Sequence, residues 1–233
     1  MKVNIWSDVR CPFCYIGKRK FEMALEDFPQ KDQVEVTWRS FQLDPTLETQ
    51  KDANIYDYFS KVKGVSKGQA EQMFNNVTQI AKEVGLDFNI EQSIVSNSFN
   101  AHRLIQLAKS KGLGDEAEEQ LFKIHFIEGK DIDDAETLLQ TGIQIGLSET
   151  DVQGVLDTNA YEYEVKQDEL AAKSIGVSGV PFFVFNDKYA VSGAQSPETF
   201  LQVLEKSWQE FEESKKNLTV IEGQNCSTDG TCE

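Results

Sequence analysis

Apolar and polar residues alternate at the start of the chain, in KVNIW (2–6), which predicts a short, half-buried strand closing at Ser7-Asp8. A helical period takes over from about Pro12, with Phe21, Leu25 and Phe28 on one stripe and Pro29 as its stop. Alternation returns in VEVTWRSFQL (34–43), where Val34, Val36 and Trp38 share a face. Strand, helix and strand in that order predict a βαβ unit with parallel strands and a right-handed crossover.

From Asp52 to about Ser174 the alternation disappears and nearly every segment has helical periodicity. In SKGQAEQMFNNVTQIAKEVGL, residues Ala70, Met73, Phe74, Val77, Ile80, Ala81 and Val84 form one stripe. Ser66 is its expected N-cap, Gln69 completes a capping box and Gly85 is its stop. Further helices are expected in SFNAHRLIQLAKSKG, DEAEEQLFKIHFIEG, DAETLLQTGIQIG and YEYEVKQDELAAKSIG. Strand patterns resume in VPFFVF (180–185) and KYAVSG (188–193), joined by Asn186-Asp187, a pair that suits a two-residue hairpin. Ser196-Pro197 then opens a last helix. The expected plan is an α/β domain assembled from two separated pieces, 1–44 and 175–212. A helical block, 45–174, is inserted between them, and a polar tail, 213–233, follows with no apolar stripe.

With 39% hydrophobic residues among 233, the chain has enough apolar material for a real core. Its 23 Lys and Arg stand against 39 Asp and Glu, a formal charge of −16, which argues against nucleic acid or an anionic membrane as the main partner. MKVNIWSDVR does not have the pattern of a secretory leader, and no apolar run approaches the roughly 18 residues needed to span a bilayer. The expectation is a cytoplasmic protein, where thiols stay reduced and a purely structural disulfide is disfavoured.

Against that background the stretch DVRCPFCYIGK carries the chemistry. Pro12 fits the first turn of a helix, so Cys11 falls at the helix N-terminus, where unsatisfied N–H groups and the macrodipole favour a thiolate. Arg10 and Lys18 are placed to add positive potential. Cys14, one turn on, can attack a mixed disulfide formed at Cys11, giving a nucleophile and a resolving cysteine. The competing reading is half of a zinc site, since C-x2-C is also ligand spacing. It would be completed by Cys226 and Cys232 or by His102 or His125. The five-residue spacer in the tail is wide for zinc, and neither histidine has a spaced partner. The dithiol reading is therefore preferred, with no metal and no organic cofactor.

The CPFC motif after a first strand, the helical insertion and GVSGVPFFVF before a hairpin resemble the DsbA branch of the thioredoxin fold. NSFNAHRLIQLAKSKG, FIEGKDIDD and the extended stretch GVSGVPFFVFNDKYAVSGAQ are similar, more specifically, to the FrnE-type subgroup. The resemblance covers about residues 1–210. It implies thiol–disulfide oxidoreductase activity on disulfide- or thiol-containing proteins or on small-molecule disulfides, with glutathione or another thiol as reductant. It also implies a cis-proline at Pro181 beside Cys11 and Cys14, with the Val180 backbone free to pair with an extended substrate. Periplasmic oxidases of the family usually carry His where this chain has Phe13, so a less oxidising couple is expected. Kappa-class glutathione transferases and hydroxychromene carboxylate isomerases are similar too and give the alternative of a glutathione-dependent isomerase or transferase, but they carry serine at the position of Cys11 and lack Cys14. A redox-regulated binding protein, using the helical block as its partner surface, is the alternative from a different class.

Among the remaining candidates, His102 reads first as a packed helix residue. Its functional reading puts it in a cleft above the dithiol with Asn97 and Arg103. Cys226 and Cys232 are read as a second redox pair exchanging electrons with Cys11 and Cys14, Asp229-Gly230 letting the tail close on itself.

Overall fold

In the computed structural model, which describes residues 1–216, strand β1 (Lys2–Ser7) lies inside the sheet because Val3 and Ile5 are fully buried on one face and Trp6 on the other. Helix α1 (Pro12–Asp27) carries the chain across to β2 (Glu35–Ser40), parallel to β1 with Val3 opposite Val36 and Ile5 opposite Trp38. The chain returns to the sheet much later as β3 (Phe182–Phe185), antiparallel to β1, and β4 (Tyr189–Ser192), giving the order β2-β1-β3-β4. Asn186 and Asp187 both have positive φ, 48° and 55°, as the expected two-residue hairpin requires.

One face of the sheet packs on α1 and on the closing helix, Pro197–Lys216. Phe21 sits 5.5 Å from the Phe183 ring, and Phe183 sits 4.6 Å from Phe200. Such aromatic pairs each add about 0.5–1.5 kcal/mol beyond the area they bury. The closing helix runs past the expected boundary at 212. In its last turns Gln209 Nε2 donates to Glu213 and Ser214 Oγ donates back to the Phe211 carbonyl. These bonds need no apolar stripe, so the hydrophobic pattern could not foretell them. Cys226 and Cys232 lie outside the described residues.

Between β2 and β3 run α2 (Ile55–Lys63), α3 (Lys67–Glu83), α4 (Phe99–Ser110), α5 (Gly114–Phe126), α6 (Ala135–Gln144), α7 (Glu149–Leu156) and α8 (Glu162–Ser174); the closing helix is α9. Ser66 and Gln69 form the expected capping box on α3, and Gly85 follows with φ 77°. Every residue of α4 from Ala101 to Ala108 is buried, so this helix is the hub of the block. The block does not keep its core to itself. Val9, Cys11, Cys14, Tyr15 and Ile16 share one apolar cluster with Leu104, Leu121, Phe122 and Leu138, and the Tyr15 ring stacks on Phe122 at 4.8 Å. The N-terminal end of α1 is thus sunk into the seam between sheet and helices. No helix among the described residues is long and apolar enough to cross a membrane.

Candidate active site

At the end of β1 the Asp8 carbonyl accepts the Cys11 N–H at 2.8 Å, and the chain enters α1 with Cys11 as N-cap and Pro12 in the first turn. Cys11 is 5% exposed and Cys14 fully buried; both are free thiols. The Val180–Pro181 bond is cis, as the resemblance implies, and Cys11 Sγ donates to the Val180 carbonyl oxygen at 3.6 Å. That carbonyl is therefore engaged by the thiol. The Pro181 carbonyl accepts from the Gly193 N–H at 2.8 Å, tying the turn to the end of β4.

Behind the sulfurs lies a cluster of polar side chains that the residue pattern did not reveal. Burial pushes the Cys14 thiol well up from its ordinary value, and its hydrogen bond to Cys11 and the Cys11 charge act in the same direction. The Asp8 N–H and the Ser7 hydroxyl offset this only in part. Ser7 Oγ in turn donates to Glu118 Oε2 at 3.4 Å. Glu118 is 1% exposed, and burial above all, with Asp115 and Asp8 helping and His102 and Lys18 opposing, pushes its carboxyl up to about 7. Asp8 feels the same burial. Its contacts with His102, Arg10 and the Leu43 N–H more than offset that, and hold it below the usual carboxylate range. His102 Nε2 stands 3.6 Å from Asp8 Oδ1, too far for a good hydrogen bond but close enough for a buried ion pair. Burial alone would lower the His102 pKa, yet Asp8 raises it.

The other predicted residues divide between packing and site. His102 is fully buried, with its ring against Asp8. Arg103 donates from Nε to the Ala160 carbonyl at 2.9 Å and from Nη2 to the carbonyls of Val155 and Thr158, clamping the end of α7. Asn97 bridges the Leu47 carbonyl and the Phe99 N–H at 2.7 Å each. These bonds engage backbone groups at the start of α4 and around the end of α7. Lys18 does not add potential to the thiols. It is pulled into ion pairs with Glu22, Asp115 and Glu119. Among the described residues no three His, Cys, Asp or Glu side chains are grouped to hold a metal ion.

Phe13 is 40% exposed and lies on the wall of a cavity of about 530 Å³ between the start of α1 and the α2–α3 pair. Arg10, Pro12, Leu43, Val62, Met73 and His125 share that wall.

A profile of the DSBA-like thioredoxin domain matches residues 2–205. The chain belongs to the DSBA-like thioredoxin domain family. It is 37% identical to a probable DsbA oxidoreductase from Streptomyces coelicolor, whose crystal structure superposes with a TM-score of 0.90 over 100% of this chain and 98% of that one. The curated protein YwbO of Bacillus subtilis, of uncharacterised function, is 27% identical over 85% of this chain and 92% of its own length. The cytosolic disulfide reductase DsbM of Pseudomonas aeruginosa, solved with glutathione, has the same fold at 16% identity. Its TM-score is 0.64, over 90% of this chain and all of that one.

Proposed function

We propose that this chain is a FrnE-like thiol–disulfide oxidoreductase of a reducing, cytoplasmic compartment. In this reading Cys11 attacks a substrate disulfide and Cys14 resolves the mixed disulfide. The observation that carries it is the placement of a fully buried Cys14 behind a Cys11 that meets the Val180–Pro181 turn, with a path from Cys14 through Ser7 to Glu118. A raised resolving thiol cannot attack until it loses its proton. A carboxyl that titrates at about 7 in a dry site is matched to accept that proton. The Asp8–His102 pair, with the Asp8 carbonyl on the Cys11 N–H, positions the turn that presents Cys11. Phe13 offers the thiols no charge and no hydrogen bond, which favours a couple near or below about −200 mV over the about −120 mV of a strong oxidant. Protein or small-molecule disulfides are the proposed substrates, with glutathione or another thiol returning the dithiol to its reduced form and no organic cofactor needed.

The test is trapping. With reduced chain and a protein disulfide, Cys14→Ser should accumulate a stable mixed disulfide through Cys11, and Cys11→Ser should form none. Equal turnover of parent and Cys11→Ser would end this reading. The exposed apolar surface at Leu43, Val62 and Met73 also fits the redox-regulated binding protein. Such a protein would bind unfolded chains without catalysing any disulfide reduction.

A further inference from the structure

The cavity beside the dithiol is apolar in an uneven way. Phe13, Leu43, Val62 and Met73 are between 40% and 56% exposed, so four large side chains that water disfavours are grouped around one opening. Its volume, about 530 Å³, suits a small molecule better than a folded surface. Two polar groups on its wall are incompletely satisfied. Arg10 Nη1 is buried with no hydrogen-bond partner, and so is Nδ1 of His125, a residue only 4% exposed. Burial and the nearby Arg10 push the His125 pKa down to about 4, so its ring is neutral near pH 7. An orphaned guanidinium N–H in an apolar wall costs free energy until an anion meets it. The charged residues on the wall are Arg10 and Lys63 against Asp44; Asp8, which does not line it, feels the Arg10 charge and offsets it in part, but leaves the Nη1 N–H without an acceptor.

We infer that this cavity binds an amphiphilic carboxylate that carries the disulfide to be reduced. Its apolar body lies between α2 and α3, its carboxylate meets Arg10 and His125, and its sulfurs reach Cys11 past Pro12. The inference deepens the dithiol reading and rests on it for its redox half; the binding half stands on the cavity alone. The Cys11 thiolate attacks one ligand sulfur, forming a mixed disulfide and expelling the other ligand sulfur as a thiolate. Cys14, its proton passed by Ser7 to Glu118, then attacks the Cys11 sulfur. The Cys11–Cys14 disulfide forms and the ligand leaves as a dithiol once protonated. Two electrons have moved from the protein to the ligand.

Binding and redox are tested separately. In the Cys11→Ser background, calorimetry with octanoate and with octanol reads the cavity without electron transfer. Octanoate should bind at least roughly tenfold more tightly than octanol. Arg10→Gln should remove that preference, and Met73→Glu, at the exposed rim, should weaken octanoate by like-charge repulsion without touching the fold. In the reduced parent, lipoate, a fatty acid ending in a cyclic disulfide, should oxidise the dithiol faster than its neutral amide, and Arg10→Gln should level the two. Octanoate and octanol binding alike, or not at all, overturns the inference. So does binding of unfolded polypeptide that Met73→Glu abolishes while octanoate has no effect. Oxidation by protein disulfides without octanoate binding overturns the inference and leaves the dithiol reading standing. Octanoate binding with no oxidation by lipoate or by any protein disulfide overturns the dithiol reading and the redox half with it.

Discussion

Glu118 shows how a single residue can cost stability and serve chemistry at once. Its ordinary pKa is 4.5 and its folded-state value about 7, because burial penalises the carboxylate. The folded state therefore prefers the protonated acid. That preference is fully present below about pH 4.5 and is lost as pH rises through about 7. Two and a half pH units at 1.36 kcal/mol each give an upper bound of about 3 kcal/mol of stability lost by pH 8. Glu118→Gln should accordingly be more stable than the parent at pH 8, by at most about 3 kcal/mol in urea unfolding, with the gap closing towards pH 4.5. The same substitution removes the proton acceptor behind Cys14. Resolution of a preformed Cys11 mixed disulfide should slow by about 100-fold, the lower end for a positioned general base. In the parent the resolution rate should climb through pH 7; in the variant it should not. A variant that is stabilised but resolves at the parental rate would reduce Glu118 to a packing defect.

At the level of elements, α1 and the Pro181 turn depend on a missing side chain. A Cβ at Gly17 would stand 2.9 Å from Pro181 Cγ and 3.5 Å from the Phe183 ring. A proline ring carbon has no rotamer to swing into, so α1 and the turn must separate. Alanine regains about 1 kcal/mol of helix propensity and loses about 1–3 kcal/mol to overpacking. Gly17→Ala should therefore change stability by no more than about 2 kcal/mol. It should lower kcat/KM for disulfide reduction much more, because Val180 is drawn off the Cys11 sulfur. Denaturant midpoints and initial rates on one preparation check both halves, and unchanged kcat/KM would show that this contact is not needed. The elements themselves were legible in the sequence. Strand alternation in KVNIW, the Ser66–Gln69 box, the Asn186-Asp187 turn and the Pro12 start of α1 all state local physics, and each element formed where that physics put it. The end of α9 was not legible, because the apolar stripe stops at Phe211 while the helix runs on to Lys216.

For the whole molecule, the dithiol could be read because it is contiguous in sequence, whereas its support could not. Asp8, His102 and Glu118 come from the end of β1, from α4 and from α5, and become neighbours only because α4 is buried on every side. In the sequence His102 and Glu118 sit among ordinary polar helix positions, and no periodicity announces that water will be excluded there. Net charge is a whole-molecule property of the opposite kind, visible at once and felt far from any one residue. A formal −16 repels anions over a Debye length of about 30 Å in 0.01 M salt and about 8 Å in 0.15 M. The Arg10 contact proposed in the cavity works at hydrogen-bond range and is screened far less. Association of an anionic disulfide should therefore be slow at low salt and accelerate as salt is added, while a cationic disulfide should show the reverse. Oxidation of the reduced chain by glutathione disulfide, a dianion near pH 7, and by cystamine, a dication, followed by stopped flow across that salt range, isolates this term. The two rates should converge as salt rises. A glutathione disulfide rate that fell with salt would mean that Arg10 and Lys63 on the cavity wall, and not the chain's overall charge, govern approach to Cys11.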